Sequence, residues 1–274
     1  MSIPSFEHDW QNGKRGKPRI QVLEVRPVAQ PDDEPIEWIV VERRELYELD
    51  PRDQSVYSAS IRLSYQRTVE KYSRGVGGGT FDGSYSSLFG TVSLTSRTTS
   101  SGGVFIDPED LRGLRIGTYL MNEIVQWAQQ WPEATVQSIE LRPGQADESN
   151  RERRNRFYER FGIVFDYADS EHACGRSRPM LVRQLTPADS WKKNITEQPV
   201  MEYLANLLYA HKKTSWELRA RDRAHQNLID QQRHVEQHPV KWVVTNLYYR
   251  YSSRLIGSAV IAALLGIAWL KLKT

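Results

Sequence analysis

DPEDLRGLRIGTYLMNEIVQWAQQWP, Asp107 to Pro132, passes from an acidic, arginine- and glycine-containing turn directly into an amphipathic helix. Leu120, Ile124, Trp127 and Trp131 recur at spacings of four, three and four, which is one buried helical face, and Pro132 stops it. Val104 to Ile106 reads as a strand before the turn, and VQSIEL, Val136 to Leu141, as a strand after the helix. A helix that opens on such a turn points its first amides at whatever lies beyond them, and its dipole favours an anion there.

Working outward, Ser149 with Glu152 three residues later forms a capping box for a second helix through Phe157 and Phe161, which Gly162 ends. IVFDYA and PMLVRQL read as two last strands joined by the polar hairpin DSEHACGRSR. Upstream, IQVLEV, IEWIVVE and SVYSASIRLSY mix alternation with β-branched and aromatic residues and read as sheet, as does Leu88 to Thr95. RGVGGGTFDGS, Arg74 to Ser84, holds five glycines in eleven residues but lies between no strand and helix, so it reads as a connector rather than a phosphate loop. Residues 1–17 read as a loose arm. From Asn194 to about His238 glycine and proline are few, and Val200, Leu204, Leu207 and Leu208 share a face, which indicates one or two exposed helices without a sustained heptad.

A chain of 274 residues with 26% charged residues and a mean hydropathy of -0.60 is built mainly for water. Its one cysteine, Cys174, excludes an internal disulfide framework or a cysteine-rich metal site. The N-terminal MSIPSFEHDW lacks a secretory pattern, so the expectation is that the bulk of the chain faces a reducing cytoplasm. Lys241, Arg250, Arg254, Lys271 and Lys273 face no acid in the last 36 residues, so a formal +3 overall leaves −2 on the remainder, which argues against nucleic acid as a partner.

Leu255 to Leu270, LIGSAVIAALLGIAWL, is uncharged and spans about 24 Å as a helix against a hydrocarbon core of about 30 Å. Tyr248, Tyr249 and Tyr251 before it, with Trp269 and Lys271 at its end, suit membrane interfaces. The expectation is a C-terminal transmembrane anchor that holds a cytoplasmic domain to a lipid bilayer. Ser258, Ala262 and Gly266 form a small-residue stripe on which two such helices could pair as a homodimer.

DPEDLRGLRIGTYL and NRERRNRFYERFGIVF, in this order and with these elements between them, resemble the two motifs of the GNAT superfamily of acyl-CoA N-acyltransferases over about Val104 to Leu185. The resemblance implies that acetyl-CoA is the co-substrate, that an amine of an unknown acceptor receives the acetyl group, and that no metal takes part. It implies that Arg112, Gly113, Leu114, Arg115, Ile116, Gly117 and Thr118 hold the diphosphate. A strand edge at Phe105 and Ile106 would pair with pantetheine, Asn150 would help hold that arm, and Tyr158 would protonate the departing thiolate. Arg115 stands where the family pattern has its central glycine, so its side chain either obstructs the phosphate or adds a charge-assisted contact. The family's two early helices have no counterpart before Phe81.

Glu140 and Asp107 are the acids that could take the acceptor's proton. Arg151, Arg153, Arg154 and Arg156 could meet phosphates, or form a solvated helix face. His234 and His238 lack the spacing of a zinc motif, and Asn194-Ile195-Thr196 fits a glycosylation acceptor without a secretory signal. The expected fold is α+β: a loose arm over 1–17, a GNAT-like mixed central sheet flanked by helices over 18–187, a helical stalk over 188–238, and a basic tail over 239–274 with its transmembrane helix at 255–270. The rival readings are an inactive GNAT-fold interaction module and a toxin-like acetyltransferase acting on aminoacyl-tRNA.

Overall fold

A computed structural model describes residues 8–11, 14–68, 77–97, 106, 109–145, 148–251, 257, 261 and 265. Residues 1–205 form one compact unit and 206–274 a second. The described residues make a mixed α+β fold around a seven-stranded sheet.

The strands of the first unit are β1 (His8–Gln11), β2 (Lys14–Pro18), β3 (Ile20–Val25), β4 (Glu37–Leu49), β5 (Val56–Arg67), β6 (Gly78–Ser86), β7 (Thr91–Ser93), β8 (Thr135–Val136), β9 (Glu140–Leu141), β10 (Phe165–Tyr167), β11 (Gly175–Ser177) and β12 (Ile195–Pro199). Its helices are α1 (Ile116–Ala128) and α2 (Glu148–Glu159), and α3 (Val200–Gln237) starts within it. The large sheet runs β12-β3-β4-β5-β6-β7-β8, antiparallel except for the parallel β7–β8 pair. In β5 the alternation is plain: Ala59, Ile61, Leu63 and Tyr65 are buried, while Ser58, Ser60, Arg62 and Ser64 between them are not.

Helix α1 lies on the apolar face, against β5 and β6. Its stripe of Leu120, Ile124 and Trp127 is buried as the periodicity requires, but so are Met121, Asn122 and Val125, because a 3-10 turn at Ser190–Lys193 packs on it as well. The approach of α1 to the sheet explains a glycine. A Cβ on Gly83 would stand 2.9 Å from Ile124 Cγ2, so β6 can take α1 at this depth only without a side chain there.

Several expectations are corrected. The glycine run is no connector at its end: Gly78 to Gly83 belong to β6, paired with β5. Val136 to Leu141 is not one strand, because β8 joins the large sheet whereas β9 joins the three-stranded sheet β10-β11-β9. The partner of β10 is β11, which lies inside the expected polar hairpin, and PMLVRQL is a bridge at Leu181 followed by a 3-10 turn. Residues 188–199 are not stalk, since β12 pairs with β3 along its length and closes the sheet's edge. The expected loose arm contains the β1–β2 hairpin.

The transmembrane helix is also corrected. Among the described residues no helix is long and apolar enough to cross a membrane, so the membrane-anchored architecture and location are not supported. The helical segment over 239–251 carries the charges of Lys241 and Arg250, which bound its uncharged run to eight residues. Of the apolar stretch 255–270 only residues 257, 261 and 265 are described, all helical and exposed.

Candidate functional site

The turn before α1 is built from two left-handed residues, Gly113 at φ 88 and Arg115 at φ 66. Left-handed backbone turns successive N–H groups toward one side and interrupts the helical hydrogen-bond ladder. The first helical bond is that of the Tyr119 amide to the Arg115 carbonyl at 3.0 Å. Among the described residues, the amides of Gly113 through Thr118 have no hydrogen-bond acceptor. Six consecutive donors at the positive end of a thirteen-residue helix form a cradle for an anion.

The side chains of the turn face elsewhere. Arg112 donates through Nε to the Ile106 carbonyl at 3.1 Å and through Nη1 to Glu109 at 2.6 Å. Arg115 Nη1 donates to the Ser190 carbonyl at 2.9 Å and to Asn194 Oδ1 at 3.2 Å. Its guanidinium therefore fastens the segment before β12 to the turn, an outcome different from both obstruction and phosphate contact. Ile116 and Thr118 are buried, and Leu114 is half-buried.

The two sequence motifs meet at Gly117. A Cβ on this residue would lie 3.4 Å from Ile106 Cγ1 and 3.5 Å from Phe157 Cε2, so α1 crosses the Phe157 side of α2 at ordinary contact distance. Ile106 is half-buried, not part of a strand, and its carbonyl accepts from Arg112. Phe105 and Asp107 lie outside the described residues.

Tyr158 is 5% exposed in an aromatic nest, with ring centroids 5.0 Å from Phe157 and 5.7 Å from Phe165. Burial in this apolar surrounding pushes its phenol up to about 12, against a smaller opposing effect of the Arg154 guanidinium. Among the described residues its hydroxyl has no hydrogen-bond partner, yet it is not among the sealed polar atoms. Asn150, in the first turn of α2, accepts from Arg153 Nε at 2.8 Å. Glu140 is exposed on β9 beside Arg142 at 3.1 Å.

The α2 arginines are tied into the protein. Arg154 reaches the carbonyls of Arg142, His172 and Ala173 at 3.0, 3.3 and 2.9 Å, Arg151 pairs with Glu171 at 2.9 Å, and Arg156 pairs with Glu152. The contacts of Arg151 and Arg154 with residues 171–173 join α2 to the β10–β11 connection, beside a cavity of about 370 Å³ lined by both signs of charge. Among the described residues no group of acidic, histidine or cysteine side chains could hold a metal ion.

Two clusters were not read from the sequence. Glu123, 1% exposed on α1, pairs at 2.6 Å with Arg43 of β4, which also reaches Glu45 at 2.6 Å. A signal existed: Glu123 stands three residues after Leu120 and four before Trp127, on the buried stripe itself. Asn194 is the second, buried behind the turn, where only a glycosylation sequence was visible.

No family model matches the chain, and no curated protein and no solved structure matches it. The resemblance to acyl-CoA N-acyltransferases therefore rests on the two sequence motifs alone.

Proposed function

We propose that the chain binds acetyl-CoA and transfers its acetyl group to an amine. The observation that carries this reading is the run of acceptor-free amides from Gly113 to Thr118 at the start of α1. A diphosphate matches it in charge and in its number of acceptor oxygens. The thioester end would extend from the cradle toward Tyr158, whose helix meets the turn at Gly117 and Phe157. The unprotonated amine attacks the thioester carbonyl, the nitrogen of the tetrahedral intermediate gives up its extra proton to water, the intermediate expels the thiolate, the Tyr158 hydroxyl supplies the thiolate's proton, and the phenolate takes a proton back from solvent. With the phenol near 12 and a thiol near 8.5, that transfer is uphill by roughly 5 kcal/mol unless the thiolate shares the apolar nest and is raised with it.

The same high phenol favours a second reading, a CoA-binding module without turnover. Calorimetric titration of the full chain with acetyl-CoA, paired with Gly117→Ala, separates the possibilities. The added methyl fits at 3.4 Å and improves helix propensity by up to about 1 kcal/mol, so the variant should fold at least as well. Binding by the parent chain and weaker binding by the variant is the expected result. No heat from the parent at millimolar acetyl-CoA removes both CoA readings, and binding without thioester consumption by any tested amine leaves the module.

A further inference from the structure

The Asn194 side chain sits behind the turn, 2% exposed, with three hydrogen bonds. Nδ2 donates to the carbonyls of Leu114 and Arg26, both at 3.1 Å, and Oδ1 accepts from Arg115 Nη1 at 3.2 Å. Only one orientation of the carboxamide satisfies this set, because a guanidinium only donates and carbonyls only accept. Its backbone is fixed too: the Asn194 carbonyl accepts from the Arg26 amide at 2.8 Å, and its amide donates to Trp191 at 3.1 Å. Both ends of the side chain are occupied within the fold, which removes Asn194 as a glycan acceptor in the folded chain.

The bond to Leu114 bears directly on the cradle. In an uninterrupted helix the carbonyl of residue 114 takes the amide of residue 118. Here that carbonyl is held by Asn194 from outside the helix, and among the described residues the Thr118 amide is left without an acceptor. Arg115, the residue between the carbonyl and the helix, is kept left-handed while its guanidinium is fastened to Asn194 and Ser190. We propose that Asn194 is a positioning residue for the anion cradle: by taking the Leu114 carbonyl it keeps α1 from winding back one residue and closing over its own amides. This rests on the reading of the turn as the acetyl-CoA diphosphate site. The connection also makes the edge strand β12 part of the ligand site, since Ile195 begins that strand one residue after the clamp.

The test compares two ligands on the full chain and on Asn194→Ala: acetyl-CoA, which carries the diphosphate, and S-acetylpantetheine, which does not. Affinity for acetyl-CoA should fall about tenfold, the loss of one good amide–phosphate contact, and affinity for S-acetylpantetheine should stay within twofold. Equal losses on both ligands would mean that Asn194 merely supports the fold, and no loss on either would overturn the proposal. Amide hydrogen exchange on the ligand-free protein reads the clamp independently of CoA. In the variant the Thr118 amide should become protected as it finds the Leu114 carbonyl, whereas unchanged exchange sinks the clamp even if acetyl-CoA binds. Failure of the parent chain to bind acetyl-CoA would instead fall on the functional reading. Should Asn194→Ala not fold, Arg115→Met cuts the other end of the network and is expected to show the same ligand-selective loss.

Discussion

Replacing Arg115 separates two opposing contributions at the turn. Its left-handed φ of 66 is costly for any residue with a Cβ, by roughly 1 kcal/mol or somewhat more. Against this stand two charge-assisted bonds from a single Nη1, to Ser190 at 2.9 Å and Asn194 at 3.2 Å. Because they share one nitrogen they do not add fully, and together they stabilise by about 2 to 3 kcal/mol. Arg115→Gly loses the bonds and releases the strain, for a net loss of about 1 to 2 kcal/mol. Arg115→Ala loses the bonds and keeps the strain, so it should lie about 1 kcal/mol lower still. For a unit of this size those losses correspond to roughly 2–8 °C and 4–12 °C in Tm. Urea unfolding followed by tryptophan fluorescence is suited to the comparison, since Trp191 packs edge-on to Tyr119 beside the clamp at a centroid distance of 4.9 Å. A glycine variant as stable as the parent would show that the guanidinium contacts contribute nothing. Equal stability of the glycine and alanine variants would show that the left-handed backbone carries no strain.

Tyr158→Phe should change stability at pH 7 by less than about 1 kcal/mol, because the hydroxyl has no partner among the described residues to lose, while Tyr158→Ala should cost about 3 to 5 kcal/mol in a differential scan. The raised phenol gives a sign as well: its contribution is complete below pH 10, where folded and unfolded chains are both protonated, and is lost between about 10 and 12 as only the unfolded phenol ionises. The phenylalanine variant should therefore lose less stability over that window, by about 2 to 3 kcal/mol, and identical slopes would refute the assignment. Ser190→Ala removes a buried hydroxyl that has no partner among the described residues while leaving the carbonyl that Arg115 uses, and should raise stability by about 1 kcal/mol in urea. Glu123→Gln should cost about 2 kcal/mol, since it weakens a pair of which the carboxylate is almost fully enclosed, and a neutral result would show that Glu45 alone suffices for Arg43. The Cys174 thiol donates to Asp169 at 2.9 Å, which raises its pKa, so alkylation at pH 7.5 should be slower than for a free cysteine and should speed up in Asp169→Asn.

What the sequence revealed and what it hid divide along the range of the interactions concerned. The buried α1 stripe of Leu120, Ile124 and Trp127 and the Gly162 end of α2 are local, and each follows from spacing or from a single residue's φ, whereas α1 stops at Ala128, before Trp131 and the Pro132 expected to end it. The splitting of Val136 to Leu141 between two sheets was not legible, because alternation defines a strand's faces but not its neighbours, and β9 is captured by β11 from 35 residues further on. The membrane expectation came from the composition of 255–270 and its aromatic and basic flanks, and among the described residues no helix meets the length and apolarity that a crossing requires.

At the candidate site, the same division explains Arg115. Read locally, an arginine in a glycine position faces a phosphate or blocks one, since those are the only occupants its own segment suggests. The actual acceptors, Ser190 and Asn194, lie 75 and 79 residues away, brought alongside because β12 adds to the edge of the sheet at β3 and turns the preceding 3-10 segment onto α1. A residue with a Cβ in a left-handed turn needs contacts that offset the strain, and the nearby acids Glu109 and Asp110 pair with Arg112 and Arg67 rather than with Arg115. The fold supplies such a contact through Asn194, and the amides that the turn leaves open depend on both residues together.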